Sequence, residues 1–149
     1  MRSLAGAGAG FLLSVLWFDL MFDVQARGHP DHDVPADARA SIAAYYARVT
    51  TAARPMNRLV AAAMVLTIGA IGAVLARADL PAWRAGPALV LTLGAVGLAA
   101  GRTVGNAQRL GRQTDDAAHQ SRLARMILRD HVFCIAAIAT VLLLLLAPV

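Results

Sequence analysis

Four long runs of apolar residues alternate with shorter polar stretches along the chain. They cover residues 3–18, 59–76, 85–101 and 132–149. A helix that crosses a bilayer needs about 20 mostly apolar residues, with roughly 17 as the lower limit. The second and fourth runs nearly reach that length unaided, whereas the first and third reach it only by including polar neighbours. We therefore predict four transmembrane helices, over about residues 3–23, 57–77, 84–105 and 130–148.

A shorter periodic pattern lies between the first two runs. Residues 28–35 contain two prolines and alternating polar residues, which is typical of a loop. Apolar and aromatic residues from Ile42 to Val49 then recur at helical spacing. The pattern predicts an amphipathic helix over about 37–54, ended by Pro55. This helix either lies on the membrane surface or packs beneath the transmembrane helices.

The composition fits a membrane protein. The 149 residues are 58% hydrophobic, with a mean hydropathy of +0.60, whereas an ordinary soluble domain is about 45–50% apolar. We found no internal repeat and no low-complexity tail. The expected fold is a single all-α integral membrane domain over residues 1–149: a four-transmembrane-helix antiparallel bundle with helical extensions into the cytoplasm.

The charged residues indicate how this bundle is oriented across the membrane. All 14 basic residues are arginine and all nine acidic residues are aspartate, a restriction typical of a GC-rich bacterial genome. Eleven arginines lie in or beside the first and third connections, and only Arg2, Arg77 and Arg84 lie on the other side. The positive-inside rule then places the long connections in the cytoplasm and both termini outside, in a bacterial inner membrane. Because the arginines flank apolar runs, the basic charge is explained by the bilayer, and no nucleic-acid partner is expected.

Two carboxylates, Asp19 and Asp23, lie at the end of the first helix and share one helical face. An aspartate at membrane depth is costly unless it has a partner. The predicted topology brings polar residues from every helix to this level: Asp19, Asp23, Asn57, Arg58, Arg102, Asn106, Arg129, Asp130 and His131. Our hypothesis is that the two carboxylates pair with Arg102 and with Arg58 or Arg129.

Glycines recur every four residues in the third helix, at Gly97, Gly101 and Gly105. Small residues at this spacing let a neighbouring helix approach closely. The first helix has small residues of its own at Gly6, Gly8 and Gly10. We expect the first and third helices to touch. We also expect the Gly97–Gly105 stripe to contact a membrane-protein partner or a second copy of the chain.

The chemistry offered by the polar residues is limited. His131, Asp19 and Asp23 are the candidates for catalysis, with His131 as a general acid or base. The spacing of His, Cys and Asp supports no metal site, and the "HPDH" pair of His29 and His32 is a weak metal motif. No cofactor is predicted. The arginines of the inner face could instead hold an anionic lipid headgroup.

The chain resembles the anthrone-oxygenase-like family of small bacterial four-helix membrane proteins. The likeness rests on its size, on "RTVGNAQRLG" closing the third helix and on "LARMILRDHVF" opening the fourth. It implies that Asn106 and His131 occupy the family's matching positions. Some members of the family are associated with cofactor-independent oxidation of polycyclic phenols, which is the activity that the resemblance implies. The chain departs from the pattern where tryptophans are expected, at Met126 and Leu128, and in "FDLMFD" of the first helix.

Three functions follow from these patterns. Small-residue stripes without catalytic spacing favour a non-enzymatic role as an accessory or assembly subunit of a larger inner-membrane complex. The alternative is a membrane enzyme that acts on a lipophilic substrate at a cytoplasm-side polar site. The third is an anionic-lipid-binding protein. A closed, salt-bridged polar cluster would favour the accessory-subunit role. An open cavity lined by His131 would favour the membrane enzyme.

Overall fold

The computed structural model describes residues 1–28, 33–52 and 54–148, excepting the side chain of Arg54. Within these ranges the chain is all-helical and contains no strand. His29 and His32 lie outside the described residues, as does half of the predicted loop over 28–35, namely residues 29–32.

Six α-helices follow one another in the described part of the chain. They are α1 (Arg2–Asp23), α2 (Ala36–Ala47), α3 (Arg54–Ala76), α4 (Ala82–Leu98), α5 (Val104–Arg112) and α6 (Ala117–Leu146). A 3₁₀ turn extends α1 over Val24–Ala26, and a π-helical turn extends α2 over Arg48–Ala52. A second π turn, Ala99–Thr103, joins α4 to α5 into one helical segment. The amphipathic helix predicted over 37–54 therefore corresponds to α2 and its π turn.

Among the described residues, four helical segments are long and apolar enough to cross a membrane. They are Arg2–Ala26, Pro55–Ala76, Ala82–Arg112 and Ala117–Leu146. The prediction of four such helices in an all-helical chain is confirmed. The third and fourth segments extend well beyond the apolar runs, because their arginine-rich ends continue as regular helix.

The long helices contact one another in the cyclic order α1, α3, α4, α6. Helix α1 packs against α3 and α6, and α4 packs against the same two helices. Among the described residues no contact joins α1 to α4. The expectation that the first and third apolar helices touch is therefore wrong, because they lie diagonally opposite each other.

Two separate apolar cores lie along this arrangement. The main core joins all four long helices, with Ala9, Ile71, Ala88 and Ile138 among its buried residues. The second core, here called the cap core, joins α2, α5 and the first half of α6. Its members from these helices are Ile42, Ala43, Tyr46, Ala107, Leu110, Leu123, Ala124 and Ile127. Helix α2 thus packs beneath the long helices, the second of the two expected placements.

Close approach of helices depends on Gly8, one of the small residues noted in the first helix, and on Gly111, which the spacing did not single out. A Cβ atom on Gly8 would overlap Oγ1 of Thr67 in α3. A Cβ on Gly111 would lie 2.7 Å from the backbone nitrogen of Ala47 in α2. Within the described part of the chain, nothing lies within 4 Å of a Cβ on Gly97, Gly101 or Gly105. The glycine stripe therefore packs against no helix of its own chain.

Arginine side chains close the end of α6 that is remote from the cap core. Arg84 is 4% exposed, and its guanidinium donates hydrogen bonds to the carbonyl oxygens of Leu144 and Ala147. Arg2 donates to the carbonyl of Ala147 as well. The last carbonyls of a helix have no partner within the helix and carry its negative dipole end, so these cations satisfy both needs.

Candidate functional site

The most deeply buried acidic group is Asp23, whose side chain is 0% exposed. The hydroxyl of Tyr46 donates to Oδ1 of Asp23 over 2.6 Å. Nδ1 of His131 lies 2.6 Å from Oδ2 of the same carboxylate. This distance is that of a hydrogen bond between the imidazole and the carboxylate. Three elements, α1, α2 and α6, are joined by this one carboxylate.

Asp19 lies one turn earlier in α1 and repeats the arrangement. The hydroxyl of Tyr45 donates to Oδ1 of Asp19 over 2.6 Å, and the Tyr45 ring stacks on Phe22 with centroids 4.0 Å apart. Nε2 of His131 lies 3.9 Å from Oδ2 of Asp19. We call Asp19, Asp23, Tyr45, Tyr46 and His131 the carboxylate cluster. It lies between the main core and the cap core, where α2 reaches the end of α1.

The expected arginine partners of these carboxylates are wrong. Arg102 pairs instead with Asp130, to which its Nε and Nη2 donate. The hydroxyl of Thr103 donates to Oδ2 of Asp130 over 3.0 Å. The Asp130 side chain is 2% exposed, whereas that of Arg102 is 56% exposed. Arg102 therefore pairs with Asp130, and the two tyrosines donate the hydrogen bonds to Asp19 and Asp23.

The other predicted members do not join the carboxylate cluster. Arg58 and Arg129 are exposed. Asn57 is exposed as well, and its side chain donates to the backbone carbonyl of Thr50. The side-chain nitrogen of Asn106 is buried without a hydrogen-bond partner among the described residues. The structure thus brings together Asp19, Asp23 and His131, with Asp130 and Arg102 beside them.

In the sequence Tyr45 and Tyr46 counted only as aromatic residues of the amphipathic helix, so their hydrogen bonds to the two carboxylates were missed. Thr103 was missed as well. A signal was present, since these are the only two tyrosines of the chain and they are adjacent. Asp19 and Asp23 also each directly follow a phenylalanine, Phe18 and Phe22. A carboxylate in apolar surroundings needs hydrogen-bond donors, and a phenol supplies one without leaving an apolar environment.

The geometry leaves little room for a reacting molecule. His131 is 7% exposed, and each ring nitrogen faces a carboxylate of α1. The surface grooves around Trp17 on α1 and between α4 and α6 do not reach His131. Within the described ranges no three His, Cys, Asp or Glu side chains are arranged to hold a metal ion. The contacts of the cluster join α1, α2 and α6.

Both phenols are in surroundings that oppose ionisation. Burial raises the pKa of Tyr45 above its ordinary value, and the bond to Asp19 raises it further. Burial also raises the pKa of Tyr46, followed by the charges of Asp23 and Asp19. A tyrosinate beside an aspartate would place two negative charges together in a poorly solvated site.

These shifts predict an alkaline titration that is coupled to unfolding. In the unfolded chain both tyrosines release their protons near pH 10, whereas the folded chain retains them. The unfolded state then binds fewer protons, so stability should fall as the pH rises above about 10. Tyrosinate absorbance should therefore appear together with loss of the helical circular-dichroism signal. Ionisation of both phenols near pH 10 with the helical signal intact would contradict the buried, carboxylate-bonded geometry.

Comparison with known proteins found no family model that matches the chain. No curated protein and no solved structure is significantly similar to it.

Proposed function

We propose that this chain is a non-enzymatic, multi-pass protein of a bacterial inner membrane and an accessory or assembly subunit of a larger complex. Four segments have the length and composition for crossing a bilayer. Eleven of the 14 arginines belong to the end that carries the cap core. By the positive-inside rule that end lies in the cytoplasm, with both termini outside.

The closed carboxylate cluster is the observation that supports a non-enzymatic role. General acid–base catalysis needs a group within hydrogen-bond reach of the substrate. His131 is buried with both ring nitrogens facing Asp19 and Asp23. A role for His131 as general acid or base would require helix α2 to leave its place first. The cluster is better suited to fixing α2 against α1 and α6.

The open glycine stripe supports contact with another membrane protein. Gly97 and Gly101 are exposed, and no described residue of the chain comes near the position of a Cβ on either. Membrane helices associate through small residues that let backbones meet, because lipid offers no hydrophobic drive for association. Because no described helix of the chain covers the glycine stripe, a helix of a partner subunit or of a second copy can pack against it.

Purification in a mild detergent with native mass measurement tests this proposal. The parent chain should run in an assembly larger than a monomer. Gly97→Leu should release the monomer, because its side chain would project from the stripe. Gly69→Leu is the matched control, since Gly69 is also exposed with open space at its Cβ position but lies on α3. It should leave the assembly intact.

Two results would contradict the proposal, and they differ in meaning. A parent chain that always runs alone would contradict the subunit role. Recovery of the chain in the soluble fraction of lysed cells would contradict the membrane placement itself.

A further inference from the structure

A groove between α4 and α6 lies beside the Arg102–Asp130 pair and has no part in the function proposed above. Its volume is about 470 Å³. Its walls are formed by Gly94, Leu98, Arg102, Arg129, Asp130 and Phe133. Charged residues line one part of it and apolar residues another, so the groove is amphipathic.

The charged part carries an excess of positive charge. Two arginines, Arg102 and Arg129, line the groove together with one aspartate, Asp130. Asp130 is fully engaged, because it accepts from Arg102 and from Thr103. Arg129 is exposed and makes no hydrogen bond or ion pair with any other described residue. A planar guanidinium with unused donors is well suited to a phosphate group.

The apolar part points to a ligand with a hydrocarbon chain. Phe133 is 51% exposed one helical turn from Arg129, and Gly94 and Leu98 are one turn apart on α4. Gly94 has no side chain, and nothing described lies within 4 Å of its Cβ position. Beyond it on α4, Val90 is 68% exposed and continues the apolar surface. A free phosphate ion would leave this wall unused.

We propose that this groove binds one anionic phospholipid, with its phosphate at Arg129 and Arg102 and an acyl chain along Gly94, Leu98 and Phe133. The site rests on the membrane placement proposed above, but not on the subunit role. Positive charge at the edge of an apolar surface is how membrane proteins recognise anionic headgroups on the cytoplasmic side. Asp130 both anchors Arg102 and keeps its guanidinium at the mouth of the groove.

The test is a titration of the detergent-solubilised full chain with phosphatidylglycerol, followed by native mass measurement of bound lipid. Arg129→Gln should weaken binding by about fivefold, the effect of one guanidinium near a headgroup. Phe133→Ala should weaken it as well. Arg122→Gln is the matched control: it lies two turns earlier on α6, is also exposed, and does not line the groove. It should leave binding unchanged.

Several outcomes would overturn the site. Equal losses from Arg129→Gln and Arg122→Gln would mean diffuse attraction to the arginine-rich end. Equal binding of phosphatidylcholine would remove the requirement for negative charge. Displacement of the lipid by inorganic phosphate, with Phe133→Ala without effect, would mean an anion site and not a lipid site. Thermal melting of each variant checks that it folds, which is expected because both Arg129 and Phe133 are exposed.

Discussion

Replacing Asp23 by leucine should lower the free energy of unfolding by about 3–5 kcal/mol, as expected when one partner of a buried polar pair is removed. Both oxygens of Asp23 are engaged, one by Tyr46 and one by His131. Leucine would leave a buried phenol and a buried imidazole without their acceptor. The measurement is chemical or thermal unfolding of the purified chain in a constant detergent.

Two further variants make the Asp23 result specific. Asp33→Leu removes an exposed carboxylate before α2 and should change stability by no more than about 0.5 kcal/mol. Asp23→Asn keeps the shape and one acceptor, and it should cost less than leucine. If Asp23→Leu melted like the parent, the carboxylate cluster would have no role in stability.

The second large effect is expected at Gly111. Gly111→Ala should destabilise the chain by about 1–3 kcal/mol, the usual cost of overpacking. The new Cβ would lie 2.7 Å from the nitrogen and 3.0 Å from the Cα of Ala47. Both are backbone atoms of a helix, so relief requires α2 and α5 to move apart. That movement would loosen the cap core.

Gly105→Ala in the same helix is the control for this prediction. Its Cβ position is open within the described structure, and alanine favours a helix over glycine by about 1 kcal/mol. Gly105→Ala should therefore be neutral or stabilising, while Gly111→Ala is destabilising. The same sign for both variants, by thermal melting, would contradict the close packing of α2 on α5.

The four long helices could be predicted from the sequence because length and hydropathy alone determine which segments can span a bilayer. The level of the polar residues along the helices could also be predicted from the sequence. Asp19, Asp23, Asp130 and His131 lie where apolar runs end or are interrupted. These residues do lie close together in the structure. Local sequence thus indicated that these four side chains lie at one level along the helices.

The partners within the site could not be predicted, for a physical reason. An aspartate attracts any arginine at the same depth, so charge alone favoured Arg58, Arg102 and Arg129. The choice was decided by the docking of α2, which places Tyr45 and Tyr46 against α1. Helical periodicity shows which face of α2 is apolar but not which helices that face will cover.

Glycine spacing was ambiguous for a similar reason. A four-residue repeat such as Gly97 and Gly101 marks a face where backbones can meet. It does not say whether the neighbour belongs to the same chain. Among the described residues the closest contacts are made at Gly8 and Gly111, where a residue of a neighbouring helix lies against the glycine.

A double-mutant cycle between Asp23 and Tyr46 tests most directly whether helix α2 is held in place by the acidic end of α1. Asp23→Asn and Tyr46→Phe are measured singly and together by unfolding in detergent. A hydrogen bond between the two side chains predicts that the double variant loses less stability than the sum of the singles, by about 1 kcal/mol or more. Strictly additive losses would contradict it, because residues that do not interact show no coupling.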